Sequence, residues 1–165
     1  MIFTSKEFVL AAGLAVSAFC SCGTAWGEEA QGDSRLPKLK KFFTLYRSPL
    51  QAHAGDFLGV ADRYGLDWRL LPTLVIIESG GRNIRNNNVF GWGNGASRFR
   101  SVADSIAIVA DCLANKLPYK GKTLEEKMRT YNPRRRDYSA IVSRIMQQIE
   151  PDERVLAASA VAGDN

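Results

Sequence analysis

The run "LLPTLVIIES", residues 70–79, constrains this chain more than any other stretch. At helical pitch Leu70, Leu71, Leu74, Val75, Ile76 and Ile77 point in nearly every direction, and a helix without a polar face has to be enclosed by other elements. Pro72 falls early enough to sit near the first turn, where its missing N–H costs little, and Asp67 can cap the start. Gly80 and Gly81 then break the pattern. The rest of the chain must supply the walls around this helix.

Five further segments carry the spacing to do so. In "LPKLKKFFTLYR" the residues Leu36, Leu39, Phe42, Phe43 and Tyr46 recur at helical intervals between lysines, which predicts a short basic amphipathic helix. Its lysines either stay solvated while it packs on the domain, or face a cell wall or membrane surface. Ser48 and Pro49 read as a cap and a first helical residue; Leu50, Ala54, Phe57, Leu58, Ala61 and Tyr64 line one face as far as Gly65. Ser101 with Asp104 resembles a capping box ahead of a stripe formed by Val102, Ile106, Val109, Leu113 and Leu117, with Cys112 beside it as a core thiol. Thr123 with Glu126 repeats that pattern before Met128 and Tyr131. Asp137 precedes a last helix bearing Ile141, Val142, Ile145, Met146 and Ile149.

Six helices and no convincing alternating strand predict an all-α domain, and 165 residues suit one domain better than two. With 45% hydrophobic and 24% charged residues the chain belongs among folded proteins. The one long irregular segment runs from Ser79 to Arg100 and is rich in asparagine and glycine; long loops in small domains are usually functional.

The first 27 residues read differently. Lys6, an apolar stretch from Phe8 to Phe19, and the small residues Ala25 and Gly27 predict a secretory signal peptide cleaved near Gly27, too short in its apolar part for the roughly 20 residues of a membrane span. Export to the periplasm or the extracellular space follows. A rival reading lipidates Cys20 or Cys22, although Phe19 and Ser21 fit a lipoprotein signal poorly. The expected organisation is a signal peptide over 1–27, a linker and basic helix over 28–47, the helical domain over 48–149 and a flexible tail over 150–165.

The net charge is +5, and losing Lys6 and Glu7 with the signal leaves it unchanged. An exported basic protein meets anionic polymers readily. Neither zinc-finger spacing nor an aromatic-basic sheet motif points to nucleic acid. With His53 as the single histidine and Cys112 as the single cysteine after residue 27, no metal or other cofactor is expected, and a monomer is.

Glu78 is the residue that needs explaining. It closes the enclosed helix, where desolvation by Leu74, Val75 and Ile77 and the negative end of the helix dipole are both expected to disfavour its charged form. A carboxylic acid so placed can give its proton to a leaving oxygen, the general-acid task in glycoside cleavage. In the loop after it Trp92 can stack on a sugar face, and Asn87, Asn88 and Asn94 can hydrogen-bond hydroxyl and acetamido groups. Trp68 reads as core and Arg134–Arg136 as a solvated face or a contact to anionic wall polymer.

The ordered set "ES" at the end of an apolar helix, then "NNNVFGWG", a helix, "TYNP" and a final helix resembles the lysozyme-like superfamily over roughly residues 50 to 149. It is similar to glucosaminidase-type peptidoglycan hydrolases and to lytic transglycosylases. The resemblance implies a compact lysozyme-like helical domain whose buried central helix presents Glu78 as catalytic acid. It also implies that the Ser79–Arg100 segment is the active-site loop, that Phe90, Gly91, Trp92 and Gly93 floor a cleft, and that Tyr131, as a catalytic residue, and Asn132 line the site. The substrate implied is the β-1,4 linkage between N-acetylglucosamine and N-acetylmuramic acid in peptidoglycan glycan strands. The alternative is a non-catalytic cell-wall-binding or secretion-assembly protein on the same fold.

No Asp or Glu occurs from Ser79 through Ala103, and Asp67 lies ~16 Å away along a helix, beyond the roughly 9.5 Å of an inverting carboxylate pair. A single-acid mechanism is therefore expected, with an anhydro-sugar product slightly favoured over a reducing end.

Overall fold

Six α-helices and two short 3-10 turns, with no strand among the described residues, make the chain all-α. The computed structural model describes residues 32–151. The expected signal peptide, Cys20, Cys22 and residues 152–165 of the expected tail lie outside them.

The helices are α1 (Arg35–Leu45), α2 (Ala54–Tyr64), α3 (Leu70–Ser79), α4 (Val102–Asn115), α5 (Leu124–Tyr131) and α6 (Tyr138–Ile149). As its composition requires, α3 is the enclosed one: Leu70 through Ile76, including Pro72 and Thr73, are all buried. It packs against α2 and α6, while α2 also packs on α4, and α6 on α5.

The basic helix α1 is part of this core. Leu39, Phe42 and Phe43 are buried, and Phe43 meets Phe57 of α2 with ring centroids 5.3 Å apart, while Lys38, Lys40 and Lys41 stay exposed. Burying an aromatic ring of this size contributes about 1.5–3 kcal/mol, so this helix is bound to the domain by its rings. Arg35 adds a fork to Asp62 of α2, its Nη1 and Nη2 lying 2.7 and 2.8 Å from the two carboxylate oxygens.

Side-chain caps close the starts of α4 and α5. Thr123 and Glu126 form a reciprocal capping box at α5, and Ser101 Oγ accepts the Asp104 N–H at α4. The Asp104 carboxylate turns instead to the backbone N–H and guanidinium of Arg100. Asp67 does not cap α3 as expected: Arg69 is the residue that precedes the helix, and the Asp67 carboxylate accepts the Arg69 N–H instead.

Two further expectations need correction. The segment after Ser48 does not enter an α-helix at once: Pro49–His53 forms a 3-10 turn, with Ser48 Oγ accepting the Leu50 N–H, before α2 begins. Leu117 does not continue the α4 stripe, since α4 ends at Asn115 and Leu117 is 88% exposed. Leu117 precedes Pro118, whose ring disfavours helical backbone in the residue before it.

The end of α3 is fixed from two sides. Gly80 closes the helix in left-handed geometry, with its N–H on Ile76 O and that of Gly81 on Val75 O, satisfying carbonyls the helix would otherwise leave open. Ser48 Oγ donates to Gly81 O at 2.5 Å in a buried contact. Gly81 has φ +66°, and a Cβ there would lie 2.7 Å from both Ser48 Oγ and Ile76 Cδ1. Only glycine suits that position, and it holds Glu78 two residues beyond the buried part of α3.

Candidate active site

Glu78 stands where two cavities meet. One, of about 300 Å³, is lined by Phe90, Gly91, Trp92, Gly93, Asn94, Tyr119, Tyr131 and Asn132 together with Glu78. The other, of about 230 Å³, is lined by Glu78, Ser79, Asn83, Arg85, Asn88, Gly91 and Gly95. Glu78 and Gly91 border both, so the two are chambers of one cleft with the carboxylate between them.

The desolvation expected of Glu78 is corrected by its position. Leu74 and Val75 are buried and Ile77 half-buried, but Glu78 is exposed to the cleft, past the point where these side chains could shut water out. Its protein partner is one that sequence reading missed. Tyr138 Oη donates to Glu78 Oε1 at 2.5 Å. Tyr138 is 1% exposed at the first position of α6, so its ring is fixed by packing and its hydroxyl is held against Glu78.

The tyrosines form a stack. Tyr131 lies on Tyr138 with centroids 5.9 Å apart and planes 12° from parallel, and Trp92 tilts onto Tyr131 at 6.0 Å and 52°. Burial pushes both phenols well above the ordinary tyrosine range, and the negative charge of Glu78 adds to the effect at each; at Tyr138 the hydrogen bond to Glu78 ranks ahead of that charge. Both rings are therefore neutral hydroxyl bearers at working pH. Tyr138, not Tyr131, is hydrogen-bonded to the carboxylate, and Tyr131 sits between Tyr138 and Trp92 on the wall of the larger chamber.

The loop wall is made differently. Asn88 is 5% exposed, with its side-chain Oδ1 accepting the Trp92 N–H at 2.8 Å and its Nδ2 donating to Trp92 O at 2.9 Å and Ser97 O at 3.1 Å. That amide staples the turn under Trp92 and has little capacity left for a ligand. Asn87 donates to Phe99 O at 2.9 Å and borders neither chamber. Phe90 is 1% exposed, a core ring at the chamber's edge. Of the residues expected to bind substrate, Gly91, Trp92, Asn94 and Asn132 come together around Glu78, Phe90 supports them, and Asn87 and Asn88 shape the loop.

Tyr119, from the segment between α4 and α5, joins the wall without having been expected. Its signal in the sequence was weak: a lone aromatic after Pro118, outside any periodic stripe. Tyr138 had a stronger one, an aromatic directly after Asp137 at the head of the last helical stripe.

Neither chamber has a second carboxylate in its lining. Four acids from the elements around and after the loop are engaged elsewhere: Asp104 with Arg100, Glu125 with Arg129, Glu126 in the α5 cap and Asp137 with Arg135. Among the described residues no three His, Cys, Asp or Glu side chains converge to hold a metal ion, and no helix is long and apolar enough to cross a membrane. His53 pairs with Asp56 through Nδ1 at 2.7 Å on α2. The Cys112 thiol is half-buried and pushed up by that burial.

No family model, no curated protein and no solved structure matches this chain.

Proposed function

We propose that the protein cleaves the β-1,4 glycosidic bond of peptidoglycan glycan strands, as an exported monomer of lysozyme-like architecture, with Glu78 as its single general acid and base. The observation that carries this reading is the lone carboxylate at the junction of two chambers, one on each side for the sugars flanking a scissile bond.

The chemistry follows from how Glu78 is held. Tyr138 occupies Oε1, which leaves Oε2 as the oxygen that carries a proton to the glycosidic oxygen. Glu78 is exposed to the cleft, and a bound strand would cover it, so the enclosure that the α3 side chains do not supply comes from the substrate itself. Trp92 offers its face to a sugar ring, and Asn94 and Asn132 offer donors and acceptors for acetamido and hydroxyl groups.

With no second carboxylate in the lining, the positive centre left at C1 is met by a group of the substrate. Either the acetamido oxygen closes on C1 and water later opens the ring, or a hydroxyl of the same sugar attacks C1 and gives its proton to Glu78, whose own proton has left with the departing oxygen. The second path consumes no water and yields an anhydro-sugar, and we favour it. Mass spectrometry of the soluble fragments from a peptidoglycan digest checks this: the anhydro product is lighter than the reducing-end product by one water. A digest containing only reducing ends would move the assignment to the acetamido route.

A further inference from the structure

The two chambers beside Glu78 differ in chemistry. The larger is aromatic, with Trp92, Tyr119 and Tyr131 and no cationic side chain; the smaller has no aromatic ring and holds one cation, Arg85, with Asn83 and Ser79 beside it.

Arg85 is placed, not merely present. Its backbone N–H is accepted by Asn83 Oδ1 at 3.2 Å, which leaves the Asn83 amide nitrogen as a second donor. The residues after it, Asn86 and Asn87, both have left-handed φ, +56° and +57°. That turn is tied to the far side of the loop by Phe99 N–H on Asn86 O at 3.1 Å and by Asn87 Nδ2 on Phe99 O at 2.9 Å. The Arg85 side chain is exposed and pairs with no acidic residue among the described ones, whereas Arg100, at the other end of the same loop, is neutralised by Asp104. Of the four arginines in this loop, Arg82, Arg85, Arg98 and Arg100, Arg85 is the one that lines a chamber.

A strand that passes Glu78 puts one sugar in each chamber. Peptidoglycan alternates a neutral sugar with one bearing a lactyl ether, whose carboxylate is free in a peptide-free strand and replaced by peptide-stem carboxylates in an intact one. We infer that Arg85 makes the smaller chamber the site of the carboxylate-bearing sugar, so that it sets the register of the strand and thereby which of the two alternating bonds lies over Glu78. This inference rests on the reading of the cleft as a glycan site. A guanidinium suits the task because its planar fork matches a carboxylate and keeps its charge at any working pH.

The test is binding to the Glu78→Gln protein, which removes turnover, with and without Arg85→Gln. Three probes are compared by calorimetry: a neutral chitooligosaccharide, a peptide-free peptidoglycan strand and a strand with intact stems. Arg85→Gln should lower the ratio of strand affinity to chitooligosaccharide affinity about five- to tenfold, the range for a charge-assisted hydrogen bond at a site partly open to water. The preference should also shrink as salt is raised, and Arg85→Lys should restore part of it. A fall with the peptide-free strand assigns the lactyl carboxylate; a fall only with the intact strand assigns the stem. An unchanged ratio for both strands overturns the role of Arg85 and leaves the glycan reading standing, and failure of the Arg85-containing protein to bind any of the three overturns both.

Discussion

The two walls of the cleft are built on opposite principles. On the α5–α6 side, side chains do the shaping: Tyr131 and Tyr138 are stacked rings on helices, and a single buried ring delivers one hydroxyl to Glu78. On the loop side, backbone does the shaping: Gly91, Gly93, Asn94 and Gly95 all have positive φ, and one buried amide, Asn88, holds the turn together. The helical wall gets its rigidity from packing that survives the loss of one polar atom, whereas in the loop wall Val89 and Phe90 are buried but the turn that follows them is held by the Asn88 amide. Comparable deletions should therefore damage the loop wall's structure and the helical wall's chemistry.

The largest effect that comparison predicts is at Asn88. Asn88→Ala removes the side chain that pairs with the Trp92 N–H and the carbonyls of Trp92 and Ser97 in a part-buried turn, a loss of about 2–3 kcal/mol. It should appear as a lowered thermal midpoint together with fast hydrogen exchange at the Trp92 amide. A midpoint at the wild-type value would mean that the loop is held by something other than this amide.

Tyr138→Phe comes next and should leave the structure alone. The ring and its stack remain, so stability changes by less than about 1 kcal/mol, while kcat falls roughly ten- to a hundredfold because Glu78 is no longer held. A variant that unfolds, or that turns over at the wild-type rate, would break the contrast between the walls.

The same tyrosines give the helical wall a pH signature. Each phenol is raised in the folded state by burial and by Glu78, so between the ordinary tyrosine value of about 10 and the folded one the unfolded chain has lost a proton that the native chain retains. The stabilisation is complete below pH 10 and is lost as pH rises above it, by up to about 1.4 kcal/mol per pH unit for each tyrosine. Denaturant melts from pH 9 to 11 measure the slope, and Tyr138→Phe should make it shallower. The smallest effect belongs to Tyr131→Phe, which keeps the stack and removes a hydroxyl that does not touch Glu78; kcat should drop about threefold or less.

What the sequence made legible follows the same division. The enclosed helix, the α1 rings and the α5 cap depend on short-range spacing, so Leu70–Ile77, Phe42 with Phe43, and Thr123 with Glu126 could be placed without coordinates. Glu78 was legible because an acid ending an apolar run is conspicuous. Its exposure was not, since whether the last turn of a helix stays in the core depends on Gly81 meeting Ser48, 33 residues earlier in the chain. The asparagines could not be sorted by type: Asn88 and Asn94 are chemically identical, and only the fold turns one inward and the other toward the cleft. Tyr138 escaped because its role depends on a contact with a residue 60 positions away.

The account stands or falls on Glu78. Purified peptidoglycan should be incubated with the wild-type protein and with Glu78→Gln, whose amide keeps the size of the side chain and the Oε1 acceptor for Tyr138 but cannot act as a proton-donating acid. Soluble fragments are measured over time, and binding to the insoluble wall in parallel. The prediction is release of glycan fragments by wild type, a loss of at least about a thousandfold in Glu78→Gln, and equal wall binding by both. Fragment release by Glu78→Gln at the wild-type rate, or wall binding without release by either protein, would contradict it, the latter result making the protein a wall-binding module on an enzyme-like cleft.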